Sequence, residues 1–410
     1  MIRWDHAGSR LAHRVDYSTC LVASVRGVPS FVPFRIDVPD DVLVDMRDRL
    51  VRSRFPNAIR GVGWEAGTDL GYLQELVAYW ADGFDWREHE ARINSFAQST
   101  TTIEGQRIHL MHVRSPEPDA LPLLLVHGWP GSIVEFLDVL GPLTDPVAHG
   151  GDPADAFHVV APSLPGYTFS GPTDERGWHP RRIAAAFVEI MAGLGYERYG
   201  AQGGDWGSVV TSNVADLAAD RVAGLHLNFV VARPPATEGG RPALSDEEQR
   251  AMEAMQEWRR TGVGYQEIQG TKPQTLGYGL EDSPAGLAAW MIEKFRAWSD
   301  CGGDIESSFT KDQLLTNVTA YWATATATSS TRLYYETRQA GRSALPAGFI
   351  GVPTGIANFP GEVTRMPRAW VEGAYNVVHW TEQPRGGHFA AMEVPDLFVD
   401  DVRAFFRPLR

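Results

Sequence analysis

Two periodicities alternate along this chain. Near its start, apolar residues return every three to four positions. Val42, Leu43, Met46 and Leu50 follow Pro39-Asp40-Asp41, and Tyr72, Leu73, Leu76, Val77 and Trp80 follow Asp69. That spacing lays an apolar stripe along a helix, and the Pro or Asp just ahead supplies a start signal. From about residue 96, short apolar runs take over. The strand-like runs are Ile108–Val113, Leu121–His127, His158–Ala161, Tyr199–Gly203 and Gly224–Phe229. Between them, Ile133–Leu140, Arg181–Leu194 and Ser208–Leu217 carry helical spacing. Strands that alternate with helices predict a parallel sheet with right-handed crossovers.

The alternation then breaks. Residues 231–344 read as a block of helices rich in Trp, Tyr and Met. Strand character returns at Phe349–Thr354 and Val377–Thr381, and a helix closes the chain at Val394–Phe406. A helical block interrupting a mostly parallel sheet predicts an α/β-hydrolase fold carrying a lid. The expected organisation is an N-terminal extension over 1–33, weakly ordered, and a helical meander with the first strands over 34–118. The first part of the core covers 119–230, the lid 231–344 and the second part of the core 345–410.

Composition narrows the function classes. A chain of 410 residues, 43% hydrophobic, is long enough for one large core plus an insertion. The formal net charge of −14 argues against nucleic acid as a partner. The two cysteines, Cys20 and Cys301, offer neither a disulfide framework nor a metal site. No apolar run is long enough to span a bilayer. His6, Arg10, His13, Arg14 and Asp16 interrupt the first thirty residues, which read as neither signal peptide nor anchor. A cytoplasmic location is expected.

The candidate chemistry centres on Tyr199-Gly200-Ala201-Gln202-Gly203-Gly204-Asp205-Trp206-Gly207-Ser208. A buried strand runs into a glycine turn and then a helix, which is the nucleophile-elbow pattern with Asp205 where esterases carry Ser. The exchange sets the reaction. A carboxylate that attacks saturated carbon forms an ester, which water can cleave; a Ser would form an ether, which it cannot. Asp205 therefore points to displacement at carbon, by epoxide opening or carbon–halogen cleavage. The bland alternative is an Asp serving only to cap a helix.

Three other segments fit around Asp205. His127-Gly128-Trp129-Pro130-Gly131-Ser132 follows an apolar strand, where backbone N–H groups of Trp129 and Trp206 would form an oxyanion hole. Gly386-Gly387-His388-Phe389 lies between the last strand and the last helix, so His388 is the expected general base. A carboxylate should orient it. Glu362 follows the preceding strand and is favoured by position, with Glu372 as competitor; Asn228 stands where some hydrolases place this acid. Epoxide opening also needs a proton donor. The helical block offers Tyr265, Tyr278, Tyr321, Tyr334 and Tyr335, and residue chemistry alone does not choose among them.

With these motifs the chain resembles the microsomal (xenobiotic) epoxide hydrolases, a family that includes the juvenile-hormone epoxide hydrolases. The likeness runs from about Phe34 to Phe406. It rests on the motifs around Trp129, Asp205 and His388, and on Gly264-Tyr265-Gln266-Glu267-Ile268-Gln269, Thr271-Lys272-Pro273, Asp282-Ser283-Pro284-Ala285-Gly286-Leu287, Leu315-Thr316-Asn317-Val318 and Phe359-Pro360-Gly361-Glu362. The resemblance implies a covalent alkyl-enzyme ester on Asp205, hydrolysed by water that His388 and Glu362 activate, with two lid tyrosines assisting ring opening. Matched motif to motif, those tyrosines are Tyr265 and Tyr335. Tyr334 is one residue away and is kept as the alternative and as a substrate-binding residue with Trp129, Pro130 and Trp206. Tyr278 and Tyr321 are expected to be packing residues. The expected partner is a small-molecule epoxide, converted to a vicinal diol with no metal or organic cofactor. Microsomal animal members carry an N-terminal membrane anchor; no such helix is read in this sequence, so membrane association is not expected to carry over. A haloalkane dehalogenase and a non-catalytic small-molecule binder are the rival readings. Substrate, stereochemistry, a detoxifying or biosynthetic role and oligomeric state, a homodimer among the options, stay open.

Overall fold

The computed structural model describes residues 29–234 and 243–410. Residues 1–28, most of the expected N-terminal extension and with it Cys20, lie outside the described residues. So do 235–242, near the start of the expected lid.

Among the described residues nine strands form one mixed sheet. They are β1 (Val32–Pro33), β2 (Gln98–Ile103), β3 (Gln106–Val113), β4 (Leu121–Val126), β5 (Phe157–Pro162), β6 (Tyr199–Gly203), β7 (Val222–Leu227), β8 (Ile350–Asn358) and β9 (Tyr375–Glu382). Their spatial order is β1-β2-β3-β5-β4-β6-β7-β8-β9. The first three and the β3–β5 pair are antiparallel, and from β5 to β9 every pairing is parallel. β6 thus lies in the middle of the parallel part, its five residues all buried. In open parallel sheets the chemistry gathers at the carboxyl ends of such strands.

Helices α1 (Asp40–Val51), α2 (Leu70–Asp82) and α3 (Trp86–Ile93) form the meander between β1 and β2. Asp69 caps α2 by accepting from the Tyr72 N–H at 2.9 Å. Helix α4 (Pro180–Gly193) joins β5 to β6, and α5 (Asp205–Leu217) joins β6 to β7. Among the described residues six α-helices lie between β7 and β8: α6 (Asp246–Thr261), α7 (Gly264–Thr271), α8 (Pro273–Asp282), α9 (Pro284–Trp298), α10 (Lys311–Ala323) and α11 (Ala327–Ala340). Helix α12 (Pro395–Phe406) ends the fold.

Alternate residues of β4 face opposite sides of the sheet, as the strand period of two requires. Leu124 and Val126 join the core made with α4, α5, the meander and the lid. Leu123 and Leu125 join the core made with α12. Each such side chain, once buried, contributes about 1.5–3 kcal/mol. The meander braces the lid directly. Trp80 Nε1 donates to Thr319 Oγ1 at 3.0 Å, and the Tyr79 hydroxyl donates to Asp312 at 2.8 Å.

Several segments differ from the sequence reading, two of them within the core. Ile133–Leu140 is not one helix but a single 3₁₀ turn, Ile133–Phe136, followed by a short helix, Leu140–Thr144. Ile133, Phe136, Leu137 and Leu140 are all buried, so the apolar spacing is satisfied without a continuous helix. β8 extends four residues beyond Thr354, through Asn358. No helix of the described residues is long and apolar enough to cross a membrane.

Candidate active site

Asp205 opens α5 directly after β6, with a positive φ of 46°. A side chain in this left-handed conformation is held there at a cost of about 1–2 kcal/mol. The flanking glycines make it feasible. A Cβ on Gly203 would lie 2.3 Å from the Gly207 carbonyl oxygen, and one on Gly207 would lie 1.9 Å from that of Val126. Only glycine lets strand and helix approach so closely, and the turn lifts Asp205 clear of both.

The loop after β4 meets Asp205 from one side. The Trp129 N–H donates to Asp205 Oδ1 at 2.7 Å. His127 fastens this loop: its Nδ1–H donates to the Gly128 carbonyl at 2.9 Å, and its Nε2 accepts from the Leu164 N–H at 3.1 Å. Burial lowers the pKa of His127 to about 4, so the ring stays neutral and keeps this pattern. The Trp129–Pro130 peptide is cis. Helix α10 ties the loop from above. Asn317 donates to the Pro130 carbonyl at 2.8 Å and accepts from Ser132 Oγ at 2.7 Å, while the Tyr321 hydroxyl donates to the Gly131 carbonyl. Tyr321 therefore does more than pack, contrary to the sequence-based expectation. In the sequence Asn317 and Ser132 stand out only as parts of motifs.

His388 approaches from the other side. Its Nδ1–H donates to Glu362 Oε2 at 2.8 Å, which leaves Nε2 facing Asp205 Oδ2 at 3.5 Å. His388 and Glu362 are both buried. Burial pushes the imidazole pKa down, but the charges of Glu362 and Asp205 outweigh it and lift the pKa well above the ordinary value. Glu362 is thus the acid that His388 meets. Glu372 lies on the surface, bonded to Arg368 at 2.7 Å. Asn228, beyond β7, accepts from Gln202 at 2.7 Å. The end of α9 clamps the His388 loop. The His388 N–H donates to the Trp298 carbonyl at 2.9 Å, the Gly386 N–H donates to Asp300 at 3.0 Å, and Glu393 accepts from the N–H groups of Asp300 and Phe389.

An aromatic chamber covers Asp205. The rings of Trp129 and Tyr265 stack at 5.3 Å, 10° from parallel. Tyr334 stands edge-on to Trp129 at 5.9 Å, to Trp206 at 4.8 Å and to Tyr265 at 5.8 Å. Burial, then the charge of Asp205, raises the Tyr265 pKa. Burial, then Tyr265 and Asp205, does the same for Tyr334. Both phenols therefore stay protonated as donors. Tyr335 does not join them. It lines an outer groove with Thr173, Lys272, Gln274, Arg332 and Glu336. One residue along a helix turns a side chain by about 100°, so only one of the neighbouring tyrosines can face the chamber, and it is Tyr334. Tyr278 is exposed. Among the described residues no group of three or more His, Cys, Asp or Glu side chains is placed to hold a metal ion.

A carboxylate at the elbow of a lidded parallel sheet, faced by a Glu–His pair, defines an α/β hydrolase with an acidic residue in the nucleophile position. The family described as alpha/beta hydrolase fold matches residues 122–261, and the one described as epoxide hydrolase N terminus matches residues 31–136. Epoxide hydrolase 1 of Sus scrofa is 38% identical over 92% of this chain and 88% of its own length. A protein of Stigmatella aurantiaca (strain DW4/3-1), provisionally named as an epoxide hydrolase, is 47% identical over 92% of this chain and 85% of its own length. The solved juvenile hormone epoxide hydrolase of Bombyx mori superposes with a TM-score of 0.84 at 30% identity, over 93% of this chain and 95% of that one. For the Aspergillus niger epoxide hydrolase the TM-score is 0.83 at 33% identity, over 93% and 97%. The chain belongs to the epoxide hydrolase family, in the branch that holds the microsomal and juvenile-hormone enzymes.

Proposed function

We propose that this epoxide hydrolase works through a covalent ester on Asp205. Oδ2 of Asp205 attacks an epoxide carbon while Tyr265 and Tyr334 donate hydrogen bonds to the departing ring oxygen, and one of these phenols gives the nascent alkoxide its proton as the ring opens, leaving a phenolate. Oδ1 becomes the ester carbonyl. Water then attacks Cγ of Asp205, passing a proton to His388 Nε2, and Glu362 stabilises the imidazolium so formed. The oxyanion develops on Oδ1, where the Trp129 N–H already donates; the Trp206 N–H at the start of α5 is the second donor assigned to it. Collapse breaks the bond between Cγ and the alkyl oxygen, which takes the proton from His388; the second water proton, left on the Asp205 carboxyl, restores the phenol, and the vicinal diol leaves.

The observation that carries this reading is the pairing of contacts at one carboxylate: the Trp129 N–H on Oδ1 and His388 Nε2 toward Oδ2. Two phenols over the same carboxylate suit an oxygen leaving group. The walls of Trp129, Trp206, Tyr265, Trp298 and Tyr334 favour epoxides with aryl or bulky apolar substituents, held by stacking. Single turnover in oxygen-18 water tests the route. The first diol should carry unlabelled oxygen from Asp205, with label entering Asp205 itself. A first diol labelled in full would mean direct attack by water and would overturn the covalent assignment.

A further inference from the structure

Glu135 is a carboxyl that the reaction as described does not use. It lies on the 3₁₀ turn after the oxyanion loop, three residues beyond Ser132, whose side chain accepts from the Val134 N–H at 3.2 Å and sets the turn. The carboxyl folds back over Gly131, where an added Cβ would fall 1.5 Å from Oε1. It faces a cavity of about 10 Å³ for water centres, lined also by Gly128, Gln202, Asp205, Asn228 and His388. That is room for one water molecule. His388 Nε2 and Gln202 Oε1 face inward there with no hydrogen-bond partner among the described residues. Burial and the charge of Asp205 push the Glu135 pKa up to about 8, against a backbone hydrogen bond from Gly128 and the charge of His388. A partly buried carboxyl set beside a second carboxylate is costly unless it serves the site.

We propose that Glu135 holds the water of the hydrolytic half-reaction, its carboxyl oxygen accepting one hydrogen of that water while His388 Nε2 accepts the other. The inference rests on the alkyl-enzyme reading above. The water oxygen bonds to Cγ of Asp205, its proton passes to His388, and that proton later goes to the departing diol oxygen. Glu135 ends as it began. An oxygen able to accept is present whether the carboxyl is ionised or protonated. With both hydrogens held, the water lone pair is directed at Cγ. The close approach over Gly131 accounts for the glycine at that position.

Rapid-quench single turnovers with styrene oxide, read by intact-protein mass, separate ester formation from ester hydrolysis. Glu135→Leu should slow hydrolysis by about tenfold or more, the loss of one good hydrogen bond, while ester formation stays within about threefold, so the adduct accumulates. Glu135→Gln keeps an acceptor oxygen of the same reach and should lie closer to the wild type than to Glu135→Leu. Gly131→Ala should push the carboxyl off the cavity and reproduce the selective defect, which keeps the test decisive if Glu135→Leu does not fold. Hydrolysis at the wild-type rate in Glu135→Leu or Gly131→Ala would overturn the assignment. So would equal losses in both half-reactions, which would mark Glu135 as a support of the loop alone. If the wild type forms no adduct, the alkyl-enzyme reading itself fails, and this inference with it.

Discussion

Removal of the Tyr334 hydroxyl should slow ring opening and leave ester hydrolysis alone. The ring of Tyr334 is buried among Trp129, Trp206 and Tyr265, whereas its hydroxyl has no partner among the described residues. Tyr334→Phe keeps the ring contacts, so stability should change little. The cost falls on the transition state, where an alkoxide forms and a hydrogen bond to a charged oxygen is worth about 1.5–3 kcal/mol. At 1.36 kcal/mol per tenfold, that is roughly 12- to 160-fold in rate. Tyr265 still donates, so the lower part of that range, about 10- to 50-fold, is expected. Tyr335→Phe, in the outer groove, should stay within about twofold, as substitutions away from a site usually do. Stopped-flow tryptophan fluorescence can follow the step, because Trp129 and Trp206 lie against Tyr334 and sense substrate arriving on Asp205. A larger loss from Tyr335→Phe than from Tyr334→Phe would refute the geometry. Equal losses in ester formation and ester hydrolysis would refute the role.

Three further outcomes are expected. His388→Gln should form the ester at near-normal rate but hold it, so an enzyme–substrate adduct accumulates in intact mass spectra, whereas Asp205→Ala should form none. Asp205→Asn should lower the imidazole pKa of His388, read by NMR titration, because it removes one of the two carboxylates that raise it; an unmoved titration would count against that coupling. Away from the site, Asp401 is buried and bonds His226 at 2.8 Å and His379 at 3.1 Å. Burial pushes its pKa up, but those hydrogen bonds hold it well below the usual range. A depressed carboxylate stabilises the fold above its unfolded pKa, and that stability is lost as pH falls toward the folded value. Asp401→Asn should therefore cost about 3 kcal/mol at pH 7, the scale for breaking a buried pair, and flatten the acid limb of a melting-temperature profile.

The parts legible in the sequence are those whose residues carry their own local reason. β4 and β6 are apolar runs ending in glycine turns, and Asp205 and His388 stand in slots defined by strand–turn–helix order. β2 was missed because Gln-Ser-Thr-Thr-Thr-Ile has little apolar alternation. It is held by pairing with β3 through the turn at Glu104-Gly105, where both φ values are positive (50° and 82°). The motif match points to Tyr335, one step of helix rotation away from the tyrosine that faces the chamber. Motif matching counts along the chain, but the face a helix presents depends on its packing, and here the packing turns Tyr334 inward. Glu135, Asn317 and Tyr321 were not readable as site residues for a related reason: their partners are loop carbonyls and a cavity that exist only once lid and core meet.

On the proposed route, the charges around Asp205 also give the two half-reactions an order. With Asp205 ionised, His388 stands between two carboxylates and is held in its protonated form. An imidazolium is no base, so water near Asp205 is not activated before substrate arrives. It does suit the first step, in which Asp205 attacks as an anion. Ester formation removes the charge on Asp205 and leaves Glu362 as the carboxylate bonded to His388. The imidazole pKa then falls, the imidazolium releases its extra proton to solvent, and Nε2 becomes available to take one from the attacking water. Ester formation removes the Asp205 charge that raises the Glu135 pKa and, once His388 is neutral, the charge that lowers it, so the part left to Glu135 is an acceptor oxygen that is present whether or not the carboxyl is ionised. Neither change requires the lid to move. The end of α9 is bonded to the His388 loop through Trp298 and Asp300, and α10 to the oxyanion loop through Asn317 and Tyr321. On the proposed route the switch from alkylation to hydrolysis is therefore one of charge at Asp205 and His388.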